Sequence, residues 1–130
     1  MFGFYRLAAA VPKVFLANPE ANTRDLIRLY KEAADQRAAA VVFPEMCITG
    51  YTIGDLVFQK QLLQAARSAA LKIAENTAGK SCIAIVGMPL EVNGKLYNTA
   101  LVIQNGSIVA AVPKQQLPNY REFHEKRFFA

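Results

Sequence analysis

Two charged side chains stand where apolar runs end, and they carry most of the chemistry legible in this chain. Ala39 to Phe43 is β-branched and apolar, and it delivers Pro44 and the lone acid Glu45 before Thr49-Gly50-Tyr51 turns the chain. Far downstream, Ser107 to Val112 ends in Pro113-Lys114. An acid and a base presented at two strand ends suit proton transfer beside stabilisation of a developing negative charge. Two ordinary readings compete with this: a plain ion pair, or two solvated strand ends.

The remaining reactive side chains are few. Cys47 and Cys82 both lie in apolar, strand-like surroundings and read as buried, inert thiols. Cys47 follows Glu45 by two residues, so on an extended backbone both would point the same way. His124 is the only histidine, sits among acids and bases, and reads as a surface residue. No His, Cys, Asp or Glu cluster has metal-ligand spacing, so no metal site is expected. Residues 74–81, Ala-Glu-Asn-Thr-Ala-Gly-Lys-Ser, imitate a phosphate loop. That motif works only with a strand before the loop and a helix after it, so that amides and helix dipole face the phosphate. Here a helix enters and a strand leaves, so Gly79 reads as a helix C-cap and Lys80 as a solvated turn residue.

The elements that must position Glu45 and Lys114 follow from periodicity. Leu7 to Val11 reads as a buried strand. Asn18 caps a helix with Pro19 at its first position, running to about Arg37 with Leu26, Leu29, Tyr30 and Ala33 on one face. A second helix is expected from about Val57 to Thr77, ended by Gly79. Cys82 to Pro89, Leu96 to Gln104 and Ser107 to Val112 read as three strands joined at Asn93-Gly94 and Asn105-Gly106. Two Asn-Gly turns in succession predict an antiparallel meander. Asn105-Gly106-Ser107 also fits a glycosylation sequon, but a hairpin turn takes precedence. The expected fold class is α/β (α+β), a mixed sheet with helices on one face.

Composition narrows the function classes. The chain has 130 residues, 53% of them hydrophobic and 19% charged, which fits one layered globular domain and excludes disorder. The formal charge of +5 is scattered rather than clustered with aromatics, which argues against nucleic acid. The apolar stretch from Phe2 to Leu16 contains Arg6 and Lys13 and reads as a first strand rather than a signal peptide. No run approaches the roughly 20 apolar residues of a membrane-spanning helix. Two unpaired cysteines suit a reducing, cytoplasmic setting.

The wording around the two charges is more specific than their spacing. Phe43-Pro44-Glu45, Gly-Tyr-Thr-Ile-Gly-Asp-Leu at 50–56, Pro113-Lys114 and Leu-Pro-Asn-Tyr-Arg-Glu-Phe-His-Glu-Lys-Arg-Phe at 117–128 resemble the nitrilase or carbon–nitrogen hydrolase superfamily. Within it they look like the glutamine amidotransferase domains of glutamine-dependent NAD synthetases. The resemblance spans nearly the whole chain, from Gly3-Phe4 to Phe128. It implies a four-layer α-β-β-α sandwich, of which residues 1–130 would supply about the first half, leaving unpaired sheet edges and an uncovered apolar face. It further implies a Glu-Lys-Cys mechanism on glutamine, with Glu45 as general base, Lys114 stabilising the tetrahedral intermediate, and Glu125 helping to position lysine and substrate. Tyr51, Tyr120 and Phe123 match aromatics around the glutamine pocket. Glu125 as a solvated acid, and the three aromatics as plain packing, remain alternatives. The matching nucleophilic cysteine should follow the lysine, and nothing after Lys114 is a cysteine, so the chain is expected to be truncated before it. No cofactor is implied for the amidase part. ATP and Mg are implied only for a separate C-terminal synthetase domain, and family members assemble as homo-oligomers. The alternative is a non-catalytic amidase-like half-domain used for binding or assembly.

Overall fold

The computed structural model describes residues 3–130, so Met1 and Phe2, where the N-terminal apolar stretch begins, lie outside the described residues. Its elements are β1 (Leu7–Ala9), α1 (Pro19–Asp35), β2 (Ala40–Val42), α2 (Lys60–Asn76), β3 (Ile83–Val92), β4 (Lys95–Gln104) and β5 (Ser107–Pro113). Short 3-10 turns occupy Gly54–Phe58 and Glu125–Arg127. The sheet order is β1-β2-β3-β4-β5. β1, β2 and β3 are parallel, while β3, β4 and β5 form the antiparallel meander. Asn93, Gly94, Asn105 and Gly106 all take the positive φ that two-residue hairpin turns require.

Each helix turns one apolar face to the sheet. Asn18 Oδ1 accepts the Ala21 N–H at 3.1 Å, which satisfies a donor that the first turn would leave orphaned. Leu26, Tyr30 and Ala33 then recur at helical spacing and are buried. They join Val41, Ile73, Val86, Leu101 and Ile103 in one core cluster. The Tyr30 hydroxyl donates to the Cys82 carbonyl at 2.8 Å, so its polar tip is satisfied within that core. Asn22 is also fully buried, and it donates to the carbonyls of Phe15 and Ile48 while accepting the Phe15 N–H.

Three expectations need correction. The first strand is neither long nor buried: β1 has three residues, and Leu7 is 73% and Val11 84% exposed. It is an edge strand whose outward face has no covering layer here. The second helix begins at Lys60, not Val57, because Gly54–Phe58 winds as a 3-10 turn that seats Val57 against Met46, Ile53, Leu62 and Phe129. It ends at Asn76, within a residue of the expected Thr77, and the residue that caps it is Thr77 rather than Gly79, since the Thr77 hydroxyl donates to the Ala74 carbonyl and accepts the Gly106 N–H. β3 also continues past Pro89 to Val92. β2 stops opposite Ile85, so beyond that point β3 has a free side on which proline is tolerated. Residues 74–81 do connect a helix to a strand, so the phosphate-loop pattern sits at a helix C-terminus, where the dipole repels anions.

The helices cover one face of the sheet. On the other, the row Ala9, Val42, Ile85, Val102 and Ala110 runs across all five strands. Every member is apolar, and none is buried. The candidate site residues Glu45 and Lys114 meet at one end of this open face.

A charged cluster at the end of the open sheet face

Glu45 is delivered by a tight turn rather than by β2 itself. Met46 takes a φ of 56°, and its carbonyl accepts the N–H groups of Thr49 at 3.2 Å and Gly50 at 2.7 Å. The turn docks on β3 through the Gly87 carbonyl, which accepts the Ile48 N–H at 3.2 Å. Gly87 is obligatory there: a Cβ on it would lie 2.6 Å from the Glu45 Cα and 2.7 Å from the Pro44 carbonyl oxygen. The close approach of turn and strand therefore fixes where Glu45 emerges.

Lys114 follows directly on β5, and its N–H donates to the Asn98 carbonyl of β4 at 2.7 Å. Its ammonium lies 2.9 Å from Glu45 Oε2 and 3.1 Å from Glu125 Oε1, bridging the two acids. Glu125 is only 3% exposed, so it is not a solvated acid. Its N–H donates to the Pro118 carbonyl, and the 3-10 turn that begins with it is anchored by Arg127, whose guanidinium grips both oxygens of Asp55. The Tyr51 hydroxyl donates to Glu125 Oε1 at 2.8 Å. Glu125 Oε2 is buried and has no hydrogen-bond partner among the described residues.

These contacts set the charge states. Burial alone would pull the Lys114 ammonium down, but its hydrogen bonds to Glu45 and Glu125 outweigh that and hold it above the ordinary lysine value. Burial and the Glu125 carboxylate push the Tyr51 phenol up, so it remains a donor at neutral pH. Cys47 is unlike both. Its thiol is buried in the helix-side core, donates to the Gly87 carbonyl at 3.6 Å, and is pushed up to about 11 by burial. The turn after β2 replaces the extended backbone that would have aimed Cys47 alongside Glu45. Cys82 is buried too, and burial raises it as well.

Two clefts flank the cluster. One of about 300 Å³ is lined by Glu45, Asn98, Val112 and Lys114 among others. The second, of about 410 Å³, is lined by Tyr51, Phe123, Glu125 and Arg127, with the exposed His124 on its wall. Of the sequence-derived site residues, Glu45, Lys114, Glu125 and Tyr51 are joined by direct hydrogen bonds. Phe123 shares the second cleft. Tyr120 lines neither: it is 64% exposed, packs edge-on against Phe123 at 5.9 Å, and accepts the Phe123 N–H at 3.0 Å through its carbonyl. Sequence reasoning missed Gly87 and Asn98. The signal for Asn98 was present, as a polar residue in phase with Ala100 and Val102 on an otherwise apolar strand face. No group of three or more acidic, His or Cys side chains among the described residues could hold a metal ion.

The profile of the carbon-nitrogen hydrolase family matches residues 6–129. The chain belongs to that family. Curated relatives include the glutamine-dependent NAD(+) synthetase of Mycobacterium bovis, 38% identical over 128 residues, which cover 98% of this chain and 19% of that protein. The synthetase of the same name from Xylella fastidiosa is 34% identical over 130 residues, covering 99% of this chain and 24% of that protein. The chain thus spans about a fifth to a quarter of the length of the curated relatives it matches. Among solved structures, the glutamine-dependent NAD+ synthetase of Acinetobacter baumannii superposes with a TM-score of 0.89 at 28% identity, over 97% of this chain and 24% of that one. The NitN amidase of Neterenkonia sp. AN1 shares the fold, with a TM-score of 0.79 at 23% identity over 98% of this chain and 49% of that one. This carbon-nitrogen hydrolase chain is therefore a partial domain of nitrilase-type α/β fold. No helix among its described residues is long and apolar enough to cross a membrane.

Proposed function

We propose that this chain is part of an amidase domain that hydrolyses glutamine and supplies ammonia within a glutamine-dependent NAD synthetase. The observation that carries the reading is the Lys114 ammonium held between Glu45 and Glu125 at 2.9 and 3.1 Å, at the edge of a cleft. Glu45 is the general base. It takes the proton of a cysteine thiol supplied by residues outside these 130, and the thiolate attacks the amide carbon. The carbonyl oxygen becomes an oxyanion beside the Lys114 ammonium, whose charge is already fixed by its two acids. The proton held by Glu45 passes to the leaving nitrogen, ammonia departs, and a thioester remains. Water, deprotonated by Glu45, then releases glutamate and regenerates the thiol.

Glu125 suits a positioning role for lysine and substrate. Its orphaned Oε2 is a buried acceptor in need of a donor, and an N–H of glutamine would provide one. Tyr51 and Phe123 would form one wall of the glutamine pocket, with Tyr120 packed behind it against Phe123. The amidase step needs no cofactor, whereas ATP and Mg would serve a C-terminal synthetase domain that uses the ammonia. Homo-oligomeric assembly and a cytoplasmic setting belong to the same reading.

The test is Lys114→Met in the complete protein that carries this chain. Glutamine-driven synthesis and glutamate release should fall by about 10²–10³-fold, the scale of losing one oxyanion stabiliser. Synthesis driven by ammonium chloride should persist, which separates lost amidase chemistry from lost folding. Undiminished glutamate release would sink the assignment and favour a non-catalytic binding or assembly role.

A further inference from the structure

Asn98 is buried, only 3% exposed, and its side-chain amide donates to Glu45 Oε2 at 2.9 Å. A carboxylate only accepts, so this contact fixes which end of the amide faces Glu45. Lys114 Nζ reaches the same oxygen, also at 2.9 Å. Two donors therefore converge on Oε2, and Glu45 Oε1 has no hydrogen bond among the described residues. The main-chain carbonyl of Asn98 separately accepts the Lys114 N–H at 2.7 Å. One residue thus holds the acid by its side chain and the base by its backbone.

The strand context makes this arrangement informative. Asn98 shares a β4 face with Ala100 and Val102, opposite Pro89 of β3, where an apolar side chain would fit the pattern. Glu45 by contrast stands on a turn, half exposed, and its other partner is the long, flexible lysine. Without Asn98, the Glu45 carboxylate would be tethered by Lys114 alone and free to rotate about its terminal bond.

Building on the amidase reading, we propose that Asn98 is a positioning residue that clamps Glu45 through Oε2 and leaves Oε1 as the oxygen that accepts the thiol proton. The S–H bond breaks as the Oε1–H bond forms, so the thiol becomes a thiolate and Glu45 a neutral acid still held by both donors. In this role Asn98 acts through its contacts with Glu45 and Lys114.

The experiment is a double-mutant cycle on glutamine hydrolysis by the complete protein. Asn98→Leu, close in volume but without the donor, should lower kcat by about 10–100-fold while KM for glutamine stays within about twofold, because an interaction on the reacting group rather than on the bound substrate is lost. In a Glu45→Gln background, the same substitution should change the residual kcat by less than about twofold, because Asn98 then has no base to position. Equal losses in both backgrounds, or a kcat within twofold of wild type for Asn98→Leu, would overturn the proposal. Should Asn98→Leu fail to fold, Asn98→Asp and Asn98→Ser replace it in the same cycle, with the same outcomes deciding. A protein that releases no glutamate, or is indifferent to Glu45→Gln, overturns the amidase reading and this proposal together. A protein sensitive to Glu45→Gln but indifferent to Asn98 overturns the proposal alone.

Discussion

The two faces of this sheet are made by the same strands, yet they differ in what they hold. On the helix side, Leu26, Tyr30, Val41, Ile73, Val86 and Ile103 pack into one buried cluster, and even its polar atoms are satisfied within the fold. On the open side, Val42, Ile85 and Val102 leave apolar surface uncovered, and the charged cluster of Glu45, Lys114 and Glu125 stands at its end. The alternation of side chains along each strand lets one residue anchor the core while its neighbour faces the clefts. Val41 is fully buried, whereas Val42 lines the cleft beside Glu45. The buried core lies on one face and the candidate site on the other, and Gly87 is where they meet, with its carbonyl holding the Glu45 turn against β3.

Substitutions on the two faces should separate accordingly. The largest stability effect belongs to Leu26→Ala, which should cost about 2–5 kcal/mol because the core cannot collapse fully around the lost side chain. Urea unfolding measures it, and a cost below about 1 kcal/mol would deny that the helix side carries the stability.

Next comes a pH effect from Cys47. Its ordinary value is 9.0, and burial pushes it up to about 11 in the folded chain. Below pH 9 the thiol is neutral whether folded or unfolded, so its contribution is fully present. Between pH 9 and 11 the unfolded thiol ionises while the folded one does not, so stability falls, by about 2–3 kcal/mol in total for a shift of this size. Tyr30, raised by burial to about 12, adds a further loss that begins near pH 10. Cys47→Ala should flatten the decline in unfolding midpoint between pH 9 and 10, and an unchanged slope would contradict the buried thiol.

The smallest effect is Val42→Thr on the open face. In the 130-residue chain it should change stability by no more than about 0.5 kcal/mol, since little surface is removed from water. A cost above about 1 kcal/mol in the complete protein, but not in this chain, would show that a further layer seats on that face.

Much of the fold was legible because its signals are local. Asn18-Pro19 announced α1, and the two Asn-Gly pairs announced the meander with nearly its true strand limits. The start of α2 was not legible, because Gly54–Phe58 is set by Val57 reaching a small distant cluster and by Asp55 pairing with Arg127. Nor was the exposure of β1, since an apolar run has the same composition at a covered centre and an open edge. The site divides in the same way. Glu45 and Lys114 stood out at strand ends, while Asn98 and Gly87 passed as ordinary strand residues.

The sequence by itself determined the alternation of elements, the two hairpin turns, the identity of the acid and base, and the wording of the family motifs. These depend on neighbours within a few positions, where backbone preference and side-chain periodicity operate. Only the tertiary structure decided that Lys114 bridges Glu45 and Glu125, that Glu125 is buried with one oxygen unpaired, and that Cys47 is withdrawn into the core. Those contacts join residues up to 69 positions apart, as Glu45 and Lys114 are. Their geometry follows from strand register and from the close seat of a turn on Gly87, which no local pattern encodes.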